Sequence, residues 1–149
     1  MSRIRVAALA LVRPDAAGAA LRVVRKRGST RFMLPGGTFE DGETDAACLA
    51  RELREEVGLT FDPKAAVRLG RFEAEAANDP GHVVGATVYR QEAAPGLNPV
   101  RGAEIEDVVW LALDDIAGDP AMPLAPLLTR ELLPRLRAAS PLRSSSPGA

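Results

Sequence analysis

Cysteine, histidine and aromatic residues are scarce in this chain, and each scarcity narrows what it does. Cys48 is the one cysteine, so no intramolecular disulfide forms, and the composition suits a reducing compartment. His82 is the one histidine. It closes the turn-rich run Asn78 to His82 and reads as a solvent-facing loop residue, with a substrate contact or proton donor as the alternative. Aromatics make up 4% of the sequence (Phe32, Phe39, Phe61, Phe72, Tyr89 and Trp110), and none forms an evident base-stacking pair. Charge of one sign is lacking too. A net charge of −1 creates no field to draw in polymeric nucleic acid or a membrane surface. No apolar run approaches the ~20 residues of a membrane span. Arg3, Arg5 and Arg13 interrupt the apolar start where a secretory leader is continuous, so a cytoplasmic location is expected.

What is present is ordinary for a folded domain. The 149 residues are 46% apolar and 26% charged, which predicts one domain with a substantial core. Ile4 to Val12 and Leu21 to Val24 read as strands around a turn at Pro14 to Gly18. Arg25 to Arg31 reads as a basic loop, and Leu34-Pro35-Gly36-Gly37 as a turn. A helix is expected from Thr44 as N-cap, with Asp45 in its first turn, to Gly58 as its stop. Val67 to Ala77, Val83 to Glu92 and Glu106 to Leu113 read as further strands. Pro123 to Arg137 reads as a closing helix interrupted at Pro134. Strands outnumber helices, so the pattern predicts α+β with a mixed sheet between helices. The folded domain is expected to span residues 1–137, and the Ser-, Pro- and Gly-rich residues 138–149 to be mobile.

The central helix carries the chemistry. At about 100° per residue, Glu52, Glu55 and Glu56 fall at roughly 0°, 300° and 40°, a single acidic stripe. Ala46, Leu49, Ala50, Leu53 and Val57 form an apolar stripe beside it. Like charges at this spacing destabilise an isolated helix, so a cation is expected to offset them. Carboxylate oxygens suit Mg²⁺, Mn²⁺ or Ca²⁺. Arg51 and Arg54 are also at hand, and a solvated glutamate face paired with them is the plainer reading of the stripe alone. The preceding glycines favour the first reading. Gly36, Gly37 and Gly42 permit close approach of main chain to a ligand, and a glycine loop entering a helix directs free N–H groups at an anion.

Gly37-x5-Glu43-x7-Arg51-Glu52-Leu53-x-Glu55-Glu56-x-Gly58-Leu59 resembles the signature of the Nudix hydrolases at every fixed position. The signature covers about a sixth of the chain, and the strand pattern extends the likeness loosely over residues 1–137. The resemblance implies an α/β/α sandwich and hydrolysis of a nucleoside diphosphate linked to another group, with Mg²⁺ or Mn²⁺. By position it implies that Glu52, Glu55 and Glu56 bind metal and activate water, with the Gly36 carbonyl as a further ligand. Arg51 would orient the glutamates, and Glu43 would support the loop–helix junction. Family members often add one carboxylate from outside the signature; Glu104 is the first choice here, with Glu73, Glu75, Glu92 and Glu106 as alternatives.

Arg25, Lys26, Arg27 and Arg31, together with Gly37, are candidates to hold phosphate, and solvated loop charges are the equal alternative. The expected substrate is a small nucleotide or nucleotide conjugate, with a nucleoside triphosphate or small nucleotide sugar as the residual choice. In the family it resembles, a proline downstream of the signature marks many ADP-ribose hydrolases and a tyrosine many dinucleoside polyphosphate hydrolases, and Ala74 to Ala77 holds neither. A homodimer is left open. Two other classes compete: a nucleotide-sensing module without turnover, and a diphosphate isomerase. The first is expected to lose motif glutamates or gain a DNA-binding extension, and the second to need more cysteine and histidine than Cys48 and His82.

Overall fold

The computed structural model describes residues 3–15, 18–75, 81–93 and 104–112. Six strands form one mixed sheet: β1 (Arg3–Asp15), β2 (Gly18–Lys26), β3 (Gly36–Thr38), β4 (Val67–Glu75), β5 (Val83–Glu92) and β6 (Ile105–Ala112). Helix α1 (Asp45–Val57) packs on it, and a short 3-10 turn, Pro63–Ala65, follows. The order is β4-β5-β1-β2-β6, with β3 pairing separately with β1. β5 runs parallel to β1, whereas β2 and β3 run antiparallel to it.

The central position of β1 explains its composition. A strand covered on both faces needs apolar residues on both, so Ala7 to Val12 is one unbroken buried run. Alternation then divides it. Ala8, Ala10 and Val12 join Leu21, Val23, Phe72 and Val88 on one face. Ala7, Leu9 and Leu11 join Val24 and the α1 residues Cys48, Leu49, Leu53 and Val57 on the other. Each large aliphatic of α1 fully buried in this way contributes about 1.5–3 kcal/mol.

Both helix ends fall where the sequence places them. The Thr44 hydroxyl accepts from the Ala47 N–H at 3.1 Å, and Gly58 adopts a left-handed conformation at φ 67°. From there the Leu59 N–H reaches back to the Leu53 carbonyl at 3.1 Å, closing the last turn.

Three expectations are corrected. Leu34 to Gly37 is not simply a turn, since Gly36–Thr38 forms β3 against Val6, Ala7 and Ala8. The registered pairs of β1 with β2 begin only at Val12, and the two strands diverge below that point. Met33 to Thr38 fills the gap. Met33 exchanges hydrogen bonds of 2.8 Å with Val24, and the Pro35 carbonyl accepts from the Leu9 N–H at 2.9 Å. Backbone groups that would be buried unpaired are thereby satisfied. Second, β2 runs through Lys26, so Arg25 and Lys26 belong to a strand rather than to a basic loop. Third, β1 and β2 stay paired to Asp15 and Gly18, so Pro14, Asp15 and Gly18 belong to strands rather than to the turn expected over Pro14 to Gly18. The closing helix at 123–137 and the tail at 138–149 lie outside the described residues, as does most of the turn at 78–82.

Candidate active site

The site is the seam between α1 and β3. Two glycines let the backbone approach there. A Cβ on Gly36, whose φ is 148°, would stand 2.1 Å from the Ala7 carbonyl oxygen. A Cβ on Gly37 would stand 2.2 Å from the Glu52 carboxyl carbon. Gly36 is therefore fixed by its neighbour strand, and Gly37 by the glutamate that leans across it.

Arg51 gathers the acidic groups of the signature. Its Nε and Nη2 donate to the two oxygens of Glu43 at 2.7 and 2.9 Å, a bidentate pair. Nη1 donates to Glu52 Oε1 at 2.9 Å and reaches Glu55 Oε2 at 3.5 Å. Nη2 also donates to the Thr38 carbonyl at 3.0 Å, and Glu40 lies 3.5 Å from Nη1. Glu43 in turn accepts from the Glu40 N–H at 2.8 Å. Arg51 thus ties the loop before α1 to the helix. The hydrogen bonds from Arg51 chiefly, with that from Glu40, hold the Glu43 carboxyl down at about 2. The same contact with Glu43, with Glu52 adding to it, raises the Arg51 guanidinium above its ordinary range.

Glu56 differs from its two companions. The side chain of Glu55 is 61% exposed and that of Glu52 17%, but that of Glu56 only 4%. Its Oε1 accepts from the Gly36 N–H at 3.1 Å, and its Oε2 lies 3.4 Å from Lys26 Nζ. Burial pushes its carboxyl pKa up, and Lys26 and the Gly36 amide pull it back. The anion that the Gly36 amide meets is therefore a carboxylate of the chain itself. Cys48 sits beneath the same seam with Sγ 3.7 Å from the Gly37 carbonyl, and burial, reinforced by the nearby Glu43, pushes its thiol up to about 11.

The basic candidates scatter. Arg25 pairs with Asp107 at 2.5 Å and donates to the Ser29 carbonyl at 3.1 Å. Alternation sends it to the sheet face opposite α1, away from the acidic helix. Arg27 is exposed, with Glu106 at 3.4 Å, and Arg31 is exposed. Lys26, one residue from Arg25, is the cation that reaches the helix. In the sequence Lys26 is only one of several basic residues before the glycine turn, because nothing local links it to Glu56.

The outer carboxylates scatter as well. Glu104 is an exposed turn residue whose carbonyl accepts from the Arg27 N–H at 2.9 Å. Pairing of Ile105 with Lys26 puts it at the Lys26 end of the sheet. Glu73 pairs with Arg3, and Glu106 with Arg27. The aromatics are engaged too. Arg13 and Arg22 lie 4.2 and 4.7 Å from the Trp110 ring centre, Arg5 lies 4.5 Å from that of Phe39, and Phe61 meets Tyr89 edge-on at 5.4 Å.

As the side chains stand, no three acidic, cysteine or histidine groups among the described residues converge on one point. The carboxylates turn instead to Arg51 and Lys26. The donor set still fits a hard divalent cation: three carboxylates beside a glycine backbone, with a cation already at the buried one. No helix among the described residues is long and apolar enough to cross a membrane.

Comparison with known proteins bears on the fold and the family. The NUDIX domain model matches residues 1–136. A MutT NUDIX hydrolase from Burkholderia pseudomallei superposes with a TM-score of 0.69 at 23% identity, covering 91% of this chain and 99% of that one. The NUDIX domain of Shewanella oneidensis NrtR, solved with ADP ribose, gives 0.69 at 18% identity, with 93% and 90% covered. A MutT/nudix family protein from Enterococcus faecalis gives 0.62 at 19% identity over 74% of this chain. This chain spans 44% of that longer one. At such identities the structural likeness is one of fold, and the domain match carries the assignment. The chain belongs to the Nudix hydrolase family, whose members are pyrophosphohydrolases that generally cleave nucleoside diphosphate-linked substrates with the help of divalent metals.

Proposed function

We propose that the chain hydrolyses a phosphoanhydride bond in a small nucleotide or nucleotide conjugate, with Mg²⁺ or Mn²⁺ at α1. The observation that carries this reading is the joining of Glu43, Glu52 and Glu55 through Arg51, beside a buried Glu56 and the glycines of β3. Glu52, Glu55 and Glu56 would hold the metal, with the Gly36 carbonyl as a further ligand and Glu104 as the carboxylate from outside the helix. When bound, a divalent cation neutralises phosphate charge and makes a coordinated water more acidic.

The chain's own residues do the rest. Arg51 keeps Glu52 in one orientation through its 2.9 Å hydrogen bond, so that the carboxylate is placed to accept a proton from the attacking water. Glu43 fixes Arg51 and takes no direct part. Gly37 leaves Glu52 room to lie across β3. Arg27, which pairs with Glu106 at 3.4 Å, and Arg31 are exposed and would meet outer phosphates, whereas Arg25 is committed to Asp107. Such chemistry depends on positioning and electrostatics more than on covalent steps.

A nucleotide-sensing module without turnover is the second reading. The signature glutamates are all retained, which favours turnover. The test is a panel of nucleoside triphosphates, nucleotide sugars and other conjugates incubated with purified protein and Mg²⁺ or Mn²⁺. Chelator-sensitive products, separated by chromatography, are expected. Binding without product in every case would support the sensing module instead.

A further inference from the structure

Glu56 is the one charged side chain that the described residues bury. A carboxylate so enclosed needs a counter-charge, since leaving it unpaired costs several kcal/mol. Its counter-charge is unlike the one beside it. Arg51 is held by a bidentate carboxylate, a second carboxylate and a carbonyl, in contacts of 2.7 to 3.0 Å. Lys26 touches Glu56 at 3.4 Å, longer than the ~2.7–2.9 Å of a tight charged hydrogen bond. Its side chain is 36% exposed, and it stands at the end of β2, where the chain turns so that the Ser29 N–H meets the Lys26 carbonyl at 2.9 Å. A flexible four-carbon stem there can swing outward without disturbing the sheet.

We propose that Lys26 is a tethered cation that neutralises Glu56 in the metal-free protein and is displaced when a divalent cation takes that carboxylate. This rests on the reading of Glu56 as a metal ligand. An ammonium and a divalent ion at one carboxylate repel each other, so the two compete for it. Competition is reciprocal: whatever Lys26 contributes to holding Glu56 is subtracted from metal affinity. The displaced ammonium stays on the α1 face, beside where substrate phosphates would lie.

The sequence makes the exchange measurable, because Lys26 and Lys64 are its only lysines. Lys64 lies exposed in the 3-10 turn Pro63–Ala65 and serves as an internal reference. The intact chain is acetylated briefly with and without saturating Mg²⁺, and modification at each lysine is read by mass spectrometry. Mg²⁺ binding is followed in parallel by calorimetry. A several-fold faster reaction of Lys26 with Mg²⁺, at unchanged Lys64, is expected. Equal Lys26 rates while calorimetry shows Mg²⁺ bound would overturn the displacement alone, and absence of Mg²⁺ binding would overturn the metal-site reading with it. Lys26→Met gives a second readout: Mn²⁺ should bind roughly tenfold more tightly, about 1.4 kcal/mol. Unchanged or weaker Mn²⁺ binding to that variant would contradict the proposal.

Discussion

Adding one methyl group at Gly36 or at Gly37 should produce opposite phenotypes, although the two residues are adjacent. At Gly36 the added Cβ meets main chain, 2.1 Å from the Ala7 carbonyl oxygen and 2.7 Å from the Ala8 Cα, at a φ of 148° that L-residues rarely adopt. Neither partner is a flexible side chain, and β1 is the central strand, so relief requires moving the core. Backbone strain of about 1–3 kcal/mol and overpacking of about 1–3 kcal/mol together remove about 2–6 kcal/mol. At about 2–4 °C per kcal/mol for a chain of this length, Gly36→Ala should lower Tm by roughly 4–24 °C. At Gly37 the obstacle is the end of the Glu52 side chain, at 2.2 Å, which can rotate away. Gly37→Ala should cost about 1 kcal/mol, the low end for overpacking. It should nevertheless lower kcat by on the order of 10²-fold, as misplacement of a catalytic group by about 1 Å does. Thermal unfolding followed by circular dichroism, with turnover on the best substrate of the panel, separates the two effects. A Gly37→Ala protein with wild-type turnover, or a Gly36→Ala protein with wild-type Tm, would refute this account of the seam.

Two further outcomes follow from the same geometry. The Glu43 carboxyl, held at about 2 by Arg51, adds stability that is present above the ordinary carboxylate range and lost as pH falls toward that value. Glu43→Gln should therefore be less stable than wild type at neutral pH and lose less on acidification, and acid-unfolding curves that run parallel for the two proteins would contradict this. The Cys48 thiol, raised to about 11 by burial, should react very slowly with a thiol-specific reagent in the native protein and rapidly in urea. Native labelling at the rate of the unfolded chain would show that the seam is open.

Features set by local rules are the ones the sequence discloses. Thr44 and Gly58 bound α1 as expected because a cap and a left-handed glycine are chosen by neighbours within one turn. Val83–Glu92 appears at the expected ends for the same reason, its turn residues lying next to its apolar run. What the sequence hides is pairing between distant segments. Gly36–Thr38 reads as a turn until β1 and β2 are seen to diverge and leave the edge of Val6 to Ala8 to be paired. Arg25 and Lys26 look equivalent as neighbouring basic residues. Strand alternation sends one to Asp107 and the other to Glu56, on opposite faces. The glutamate stripe was legible from helical spacing, but the burial of Glu56 and exposure of Glu55 depend on where β3 lies.

Hydrolysis of the best nucleotide-conjugate substrate in ¹⁸O-labelled water with Mg²⁺, by wild type and by Glu55→Gln and Glu56→Gln, tests the central claim most directly. Attack by water placed at α1 predicts the label in a phosphate product, resolved by mass spectrometry, and complete loss of activity on chelation. Each variant should keep its fold while kcat falls by on the order of 10²-fold or more, as when a group stabilising the transition state is removed. Label found in a hydroxyl on carbon, or wild-type turnover in both variants, would contradict the account and place the chemistry away from this helix.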